Sequence, residues 1–226
     1  MMKFSPGLFL FAICFALGCS SQSADTVAEV QNNGMVPVNI KHAKGFTITR
    51  GSNYQLVEVL EPFKGSERGY KYLLVPRGLE PPADVEADMV IPTPVSSLAT
   101  TSTSHLPALD FLGIAHLLAG FPNTDLISSR NIRTLVDQGR VLDIGPESHI
   151  DLESLIDISP ELIIDFAMGS TYDQFETLQG TGIPVVLNAD YMEETPLGRA
   201  EWIKFTAAFF DKEAEADSVF GKIEEN

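Results

Sequence analysis

Apolar and polar positions change their rhythm along this chain, and each rhythm predicts a different kind of element. From residue 45 they alternate: Phe46-Thr47-Ile48-Thr49, a turn at Gly51-Ser52-Asn53, residues 54–60, a second turn at residues 65–68, then residues 70–75 stopped by Pro76. Period-two alternation reads as half-buried strands, so residues 45–75 predict a small antiparallel meander at the edge of a domain. Pro81-Pro82 opens another extended passage that reaches Val90-Ile91.

An α/β body begins near Val95, and its organising stretch is residues 141–166, VLDIGPESHIDLESLIDISPELIIDF. Val141-Leu142-Asp143-Ile144, ended by Gly145-Pro146, predicts a buried strand and a loop. Asp151 is placed to cap a helix whose apolar residues Leu152, Leu155, Ile156 and Ile158 follow a period near 3.6. Pro160 closes that helix, and Leu162-Ile163-Ile164 is a second buried, β-branched strand. Strand, helix and strand make a compact βαβ unit, so the sheet is expected to be parallel. In such sheets a ligand lies beyond the carboxyl ends of the strands, here Pro146–His149 and Ala167–Thr171.

Around this unit, hydroxyl-rich Thr100-Thr101-Ser102-Thr103-Ser104 before His105-Leu106-Pro107 marks a helix start, with Gly113 as its stop. Residues 117–121 form an apolar run. Residues 131–138 and 172–178 predict helices, and residues 183–187 a strand that Pro184 assigns to an edge or a first position. Beyond Pro196, apolar residues such as Trp202, Phe205, Phe209, Ala216, Phe220 and Ile223 keep helical spacing to the last residues. One continuous helix there spans about 45 Å at ~1.5 Å per residue. Its pattern carries no stop signal, which predicts a fragment or a natural truncation of a longer protein.

The chain has 226 residues, 44% of them hydrophobic, and a net charge of −16. That charge argues against nucleic acid, which needs a basic footprint. It suits solubility or a surface that meets a basic partner. The segment up to Cys19 is set apart from the fold. Lys3 supplies a positive n-region and residues 8–16 an apolar stretch too short to span a bilayer. Ala16-Leu17-Gly18-Cys19 looks like a bacterial lipobox, which makes Cys19 the expected lipidation site and the first mature residue. Cys14 is then removed with the signal, so no disulfide is expected. Residues 20–33 are polar and read as a tether.

Several ordered pieces resemble the substrate-binding lipoproteins of ABC importers for iron complexes and cobalamin. They are Thr103-Ser104-His105-Leu106 with Leu109, Leu112 and Gly113; Leu118-Ala119-Gly120-Phe121; and Asp143-Ile144-Gly145. The series continues with Asp151-Leu152-Glu153, Ile158, Pro160-Glu161-Leu162-Ile163-Ile164, and Gly182-Ile183-Pro184-Val185-Val186. Pro196-Leu197-Gly198-Arg199-Ala200-Glu201-Trp202-Ile203-Lys204-Phe205 looks like the start of that family's backbone helix. The similarity covers residues 95–226. It implies two α/β lobes joined by a rigid helix, with the ligand between them, and members longer than this chain. The expected organisation is a signal and lipobox at 1–19, a tether at 20–44, an antiparallel extension at 45–91, a first lobe at 92–195 and an incomplete interlobe helix at 196–226, the second lobe being absent.

The resemblance also implies roles. The family's Asn/Asp-Leu-Glu motif docks its glutamate on permease arginines, which falls on Glu153. Its ligand loops fall on Ser102, Thr103, Ser104 and His105, on Asn123 and Thr124, on Glu147 and Ser148, and on residues 166–170 with Phe166 and Met168 as an apolar wall. Hydroxyls and helix N-terminal amides there suit carboxylate or phosphate groups of a ligand, although local capping is the other reading of Ser102–Ser104. Glu147 stands where the cobalamin-binding branch has an aromatic residue, which leaves siderophore and haem open beside cobalamin. The implied cargo is a ferric siderophore, haem or a corrinoid. The implied partners are an inner-membrane permease and, through Cys19, the lipid surface of the cell envelope.

Two other classes stand beside this one. His42, His105, His116 and His149 are scattered, without H-x₃-H or HExxH spacing. His105 and His149 are the pair to consider for a related zinc- or manganese-binding lipoprotein. A lipoprotein that binds only another protein is the third reading. For an enzyme, no GxSxG, P-loop or GxGxxG signature is present. Asp143, Asp165 and Asp190 near strand ends read as loop caps rather than catalytic carboxylates.

Overall fold

The computed structural model describes Met1, residues 34–171 and residues 173–225. The signal segment, the lipobox with Cys19 and most of the tether lie outside the described residues.

The alternating N-terminal part builds a sheet of β1 (Val36–Pro37), β2 (Phe46–Arg50), β3 (Gln55–Val59), β4 (Tyr70–Pro76) and β5 (Met89–Thr93), in that spatial order. The meander β2-β3-β4 is antiparallel as the alternation predicts, with Ile48 opposite Val57 and Val57 opposite Tyr72. β5 instead pairs parallel with β4, so the expected purely antiparallel extension is a mixed sheet. The long passage across Pro81-Pro82 carries the chain back to the start of β4 before β5 begins.

The second sheet is parallel throughout. Its strands are β6 (Leu98–Thr100), β7 (Leu118–Phe121), β8 (Leu142–Asp143), β9 (Leu162–Asp165) and β10 (Val185–Leu187), in the order β10-β9-β6-β7-β8. Helices α1 (Leu106–Phe111), α2 (Arg130–Asp137), α3 (Leu152–Ile158) and α4 (Phe175–Gln179) connect them. The observed α4 is thus shorter and later than residues 172–178 suggest. β10 is an edge strand, as Pro184 implies, and Asp151 caps α3 through its carboxylate on the amides of Glu153 and Ser154.

The βαβ unit of residues 141–166 is parallel but not compact, because β6 and β7 lie between β8 and β9. Nor is β8 a buried strand. Only Val141 and Ile144 are buried, while Leu142 and Asp143 face out at the sheet edge. An apolar run of four does not say which strand it pairs with.

The single helix expected over residues 196–226 is two: α5 (Pro196–Ala208) and α6 (Glu213–Glu224), packed against each other. The Phe209 carbonyl accepts the Val95 amide at 2.9 Å, and Asp211 turns left-handed at φ 53°. Folding back buries every residue from 201 to 210, the last turns of α5 and the two residues after it. Phe46 meets Trp202 and Phe205 at 4.7 and 5.8 Å between ring centroids, and Phe205 meets Phe209 at 5.2 Å. The Leu187 amide donates to the Tyr72 hydroxyl at 2.9 Å and so ties the two sheets together.

Residues 34–44, expected as tether, belong to the fold for an electrostatic reason. Buried Glu201 accepts the amides of Lys41, His42 and Ala43 at 2.7–3.0 Å, and its partner Lys204 lies 3.0 Å away. Buried Glu193 accepts the next two amides, Lys44 and Gly45, and the Trp202 indole N–H at 2.8–3.0 Å. Burial pushes the Glu201 carboxyl up, but these donors outweigh it and hold it below the usual carboxylate range.

Candidate functional site

The β-branched core of β9 ends at Asp165, and the adjacent strand β6 ends one residue before Thr101. Because Ile164 pairs with Thr100, the next residue of each strand emerges side by side at the carboxyl edge of the sheet. The Thr101 hydroxyl donates to Asp165 Oδ1. Asp165 Oδ2 is buried without a hydrogen-bond partner, and the residue as a whole is only 2% exposed. Burial drives the Asp165 carboxyl up to about 6; the Thr101 hydroxyl and the Phe166 amide pull it down, and the negative charges of Asp173 and Glu147 raise it further.

Asp165 opens on a cleft of about 370 Å³ lined by Thr101, Glu147, Ser148, Ile150, Asp165, Phe166, Met168, Ser170, Asp173 and Gln174. Five residues expected at a ligand site meet there: Glu147, Ser148, Phe166, Met168 and Ser170. Met168 is exposed, and Phe166 packs edge-on to Tyr191 at 6.5 Å. Asp173 shapes the wall, with its carboxylate accepting the amides of Met168, Gly169 and Ser170 at 2.8–3.2 Å. Among the described lining residues there is no Lys, Arg or His.

The other expected ligand residues are occupied elsewhere. Ser102 caps a short 3₁₀ turn by accepting the Ser104 amide, which matches the capping reading, and Ser104 donates to Asp190 at 3.1 Å. Thr103 is exposed and lines neither this cleft nor the apolar cavity beside it. Thr124 gives its amide and hydroxyl to Asp143 Oδ2 at 2.9 and 3.2 Å, and Asp143 also takes the amides of Asn123 and Gly145. Asp143 is therefore a loop cap; burial raises its carboxyl, but these donors leave it below the ordinary range.

His105 is buried. The Thr100 hydroxyl donates to the Ile164 carbonyl at 2.9 Å, so it accepts from His105 Nδ1–H at 2.6 Å, and Nε2 is a bare acceptor. Burial pushes this imidazole down to about 3. His105 lines a second, largely apolar cavity of about 310 Å³ between α1, α5 and α6, together with Ser104, Asp190, Trp202 and Thr206. His149 is exposed and borders a different depression beside Pro146 and Asp151, so the two histidines do not meet in one cavity. Among the described residues no cluster of three or more His, Cys, Asp or Glu is arranged to hold a metal ion.

Glu153 stands exposed in the first turn of α3, away from both cavities. Among the described residues no helix is long and apolar enough to cross a membrane.

With this geometry in place, comparison with known proteins adds the following. No family model matches the chain. An uncharacterized lipoprotein of Methanocaldococcus jannaschii is 31% identical over 160 residues, 69% of this chain and 41% of the relative. The chain spans 23% and 41% of two curated relatives, well under half of each. Among solved structures, a periplasmic binding protein from Veillonella parvula aligns over 76% of this chain and 50% of its own, with TM-score 0.51 and 11% identity. The siderophore binding protein BauB, solved with acinetobactin and ferric iron, aligns over 74% of this chain and 51% of its own, with TM-score 0.50 and 14% identity. What is shared is the fold. The parallel sheet flanked by helices, with its neighbouring antiparallel strands, matches a single lobe of a periplasmic binding protein.

Proposed function

We propose that this chain forms the ligand-binding lobe of a substrate-binding lipoprotein of an ABC importer. It captures an iron chelate, haem or a corrinoid in the cell envelope and hands it to a permease. The observation that carries the reading is Asp165: a buried carboxyl with one free oxygen, at the carboxyl edge of a parallel sheet, opening on a cleft walled by Phe166 and Met168. Loops at that edge are where open α/β sheets bind ligands. A buried, unpaired ionisable group with a shifted pKa is typical of a working site rather than of a scaffold. The siderophore complex of a protein with this fold is consistent with the same use.

Function here is binding and release, without chemical turnover. Glu147, Ser148, Phe166 and Met168 contact the ligand. Glu153, exposed on α3 and clear of the cleft, meets arginines of the permease, and lipid on Cys19 holds the protein at the membrane. The test is a thermal-shift panel on the full-length protein with ferric siderophores, haem, cobalamin, zinc and manganese. Binding to the folded state raises the melting temperature by mass action, about 2.7 kcal/mol at a hundredfold excess over Kd. A shift confined to one chelate supports the reading. A shift with bare zinc or manganese alone replaces it with the metal-binding class, and no shift at all refutes it.

A further inference from the structure

Three carboxylates, Asp165, Glu147 and Asp173, stand in the wall of the cleft beside the neutral side chains of Thr101, Ser148, Ser170 and Gln174. Asp165 Oδ2 has no partner, Glu147 adds a second carboxylate, and the Asp173 carboxylate lies close enough to raise Asp165 electrostatically. Of the hydroxyls expected to meet an anionic ligand, Ser104 donates to Asp190 and Thr124 to Asp143, and Ser148 stands exposed on the rim; the Thr101 hydroxyl is taken up by Asp165. No basic side chain lines the cleft among the described residues.

We propose that the ligand presents a cationic donor, an ammonium or guanidinium group, to Asp165 Oδ2, so that this lobe selects positively charged chelates over carboxylate- or catecholate-rich anionic ones. The inference rests on the cleft being the ligand site. A desolvated oxygen without a partner is costly, and a charged donor is what offsets that cost most fully. The same arrangement repels an anion, because like charges in a partly dry cleft are weakly screened. Phe166 and Met168 contact the apolar body of the chelate, while Glu147, being exposed, steers the cation inward.

The test uses the full-length protein and two probes of nearly equal size. One is ferric desferrioxamine B, whose trihydroxamate carries a free ammonium; the other is its N-acetylated derivative. Ferric citrate, haemin and cyanocobalamin complete the titrations. The ammonium form is expected to bind at least about tenfold more tightly than the acetylated form, a difference of ~1.4 kcal/mol. Asp165→Asn is expected to erase that preference while leaving the acetylated form bound and the melting temperature no lower. Glu147→Gln is expected to reduce the preference by a smaller factor. Equal binding of the two trihydroxamates overturns the proposal, as does a preference that survives Asp165→Asn, which would mean that Oδ2 merely holds water. Binding of ferric citrate or haemin in place of both trihydroxamates keeps the cleft as a ligand site and refutes its charge selection. Binding of none of the iron complexes or the corrinoid overturns both readings.

Discussion

Thr101 and Asp165, the first residue after one strand and the last residue of its neighbour, share a hydrogen bond that satisfies only half of a buried carboxyl. Asp165 lines the cleft, with the free oxygen buried at its wall. In the ligand-free protein this arrangement is a cost. The Asp165 carboxyl sits near 6 against an ordinary 3.8, so the folded state binds a proton that the unfolded state does not between roughly pH 4 and 6. The stabilisation is fully present below pH 4 and is lost as pH rises through 6.

Asp165→Asn should therefore stabilise the apo protein at pH 7 by about 3 kcal/mol at most, from ~1.4 kcal/mol per pKa unit. At roughly 2–4 °C per kcal/mol for a chain of this size, the melting temperature rises by several degrees. The gain over wild type is expected to shrink towards zero at pH 4. A variant that melts lower than wild type at pH 7 contradicts the burial argument.

His105 pulls in the opposite direction. Its imidazole is held near 3 against an ordinary 6.5, so the unfolded state takes up the proton first and stability falls as pH drops below 6.5. The two groups offset each other between about pH 4 and 6. In Asp165→Asn the acid limb should steepen, because His105 then acts without that compensation. Chemical denaturation from pH 4 to 7 on both proteins measures the difference in slope.

Glu201 holds three consecutive amides and Lys204 in a dry site. Glu201→Ala leaves those three amides unpaired and strips Lys204 of its nearest carboxylate, leaving it the Asn39 carbonyl at 3.1 Å and the more distant Asp217; charged-group hydrogen bonds contribute about 1.5–3 kcal/mol each, non-additively. A loss of several kcal/mol is expected, as breaking one side of a buried pair typically costs about 3–5 kcal/mol. Residues 34–44 should then become sensitive to protease. Gly45 is held by the neighbouring carboxylate, Glu193: a Cβ there would lie 2.8 Å from the Trp202 ring, so Gly45→Ala should also be destabilising in urea melts.

Much of this arrangement is legible in the residues themselves. Alternation at 46–75 gives the meander, Asp151 its helix cap and Pro184 its edge strand. Strand order is not, because a run such as Val141–Ile144 encodes apolarity and not its neighbour. The break at Asp211 is hidden for a similar reason: both helices keep apolar spacing, and only the docking of Phe209 on Val95 separates them. Asp143 and Asp165 show the limit most clearly. Both follow apolar residues at strand ends and both read as caps. Asp143 meets three amides and a hydroxyl and is one, whereas Asp165 meets a single hydroxyl and is not. The difference lies in which loops surround each strand end, and sequence spacing does not carry it.

Glu153 tests the docking proposal separately from the cleft. Glu153→Arg should leave the melting temperature within about a degree, since exposed substitutions usually change stability by ±0.5 kcal/mol or less. Ligand affinity should be unchanged too, while ligand-stimulated ATP hydrolysis by the reconstituted importer falls by tenfold or more, with ~1.4 kcal/mol per factor of ten. Unaltered stimulation removes Glu153 from the interface.

The central claim is that the cleft beneath Ser148 and Met168 is where the ligand sits. Its most direct test is calorimetric titration of the full-length protein with the chelate that gives the largest thermal shift, in wild type and in Ser148→Trp. Ser148 is exposed on the rim, so an indole there fills the cleft without disturbing the core. The account predicts tight binding by wild type and none by the variant, at an unchanged melting temperature. Equal affinity in the two proteins would contradict it and move the ligand elsewhere.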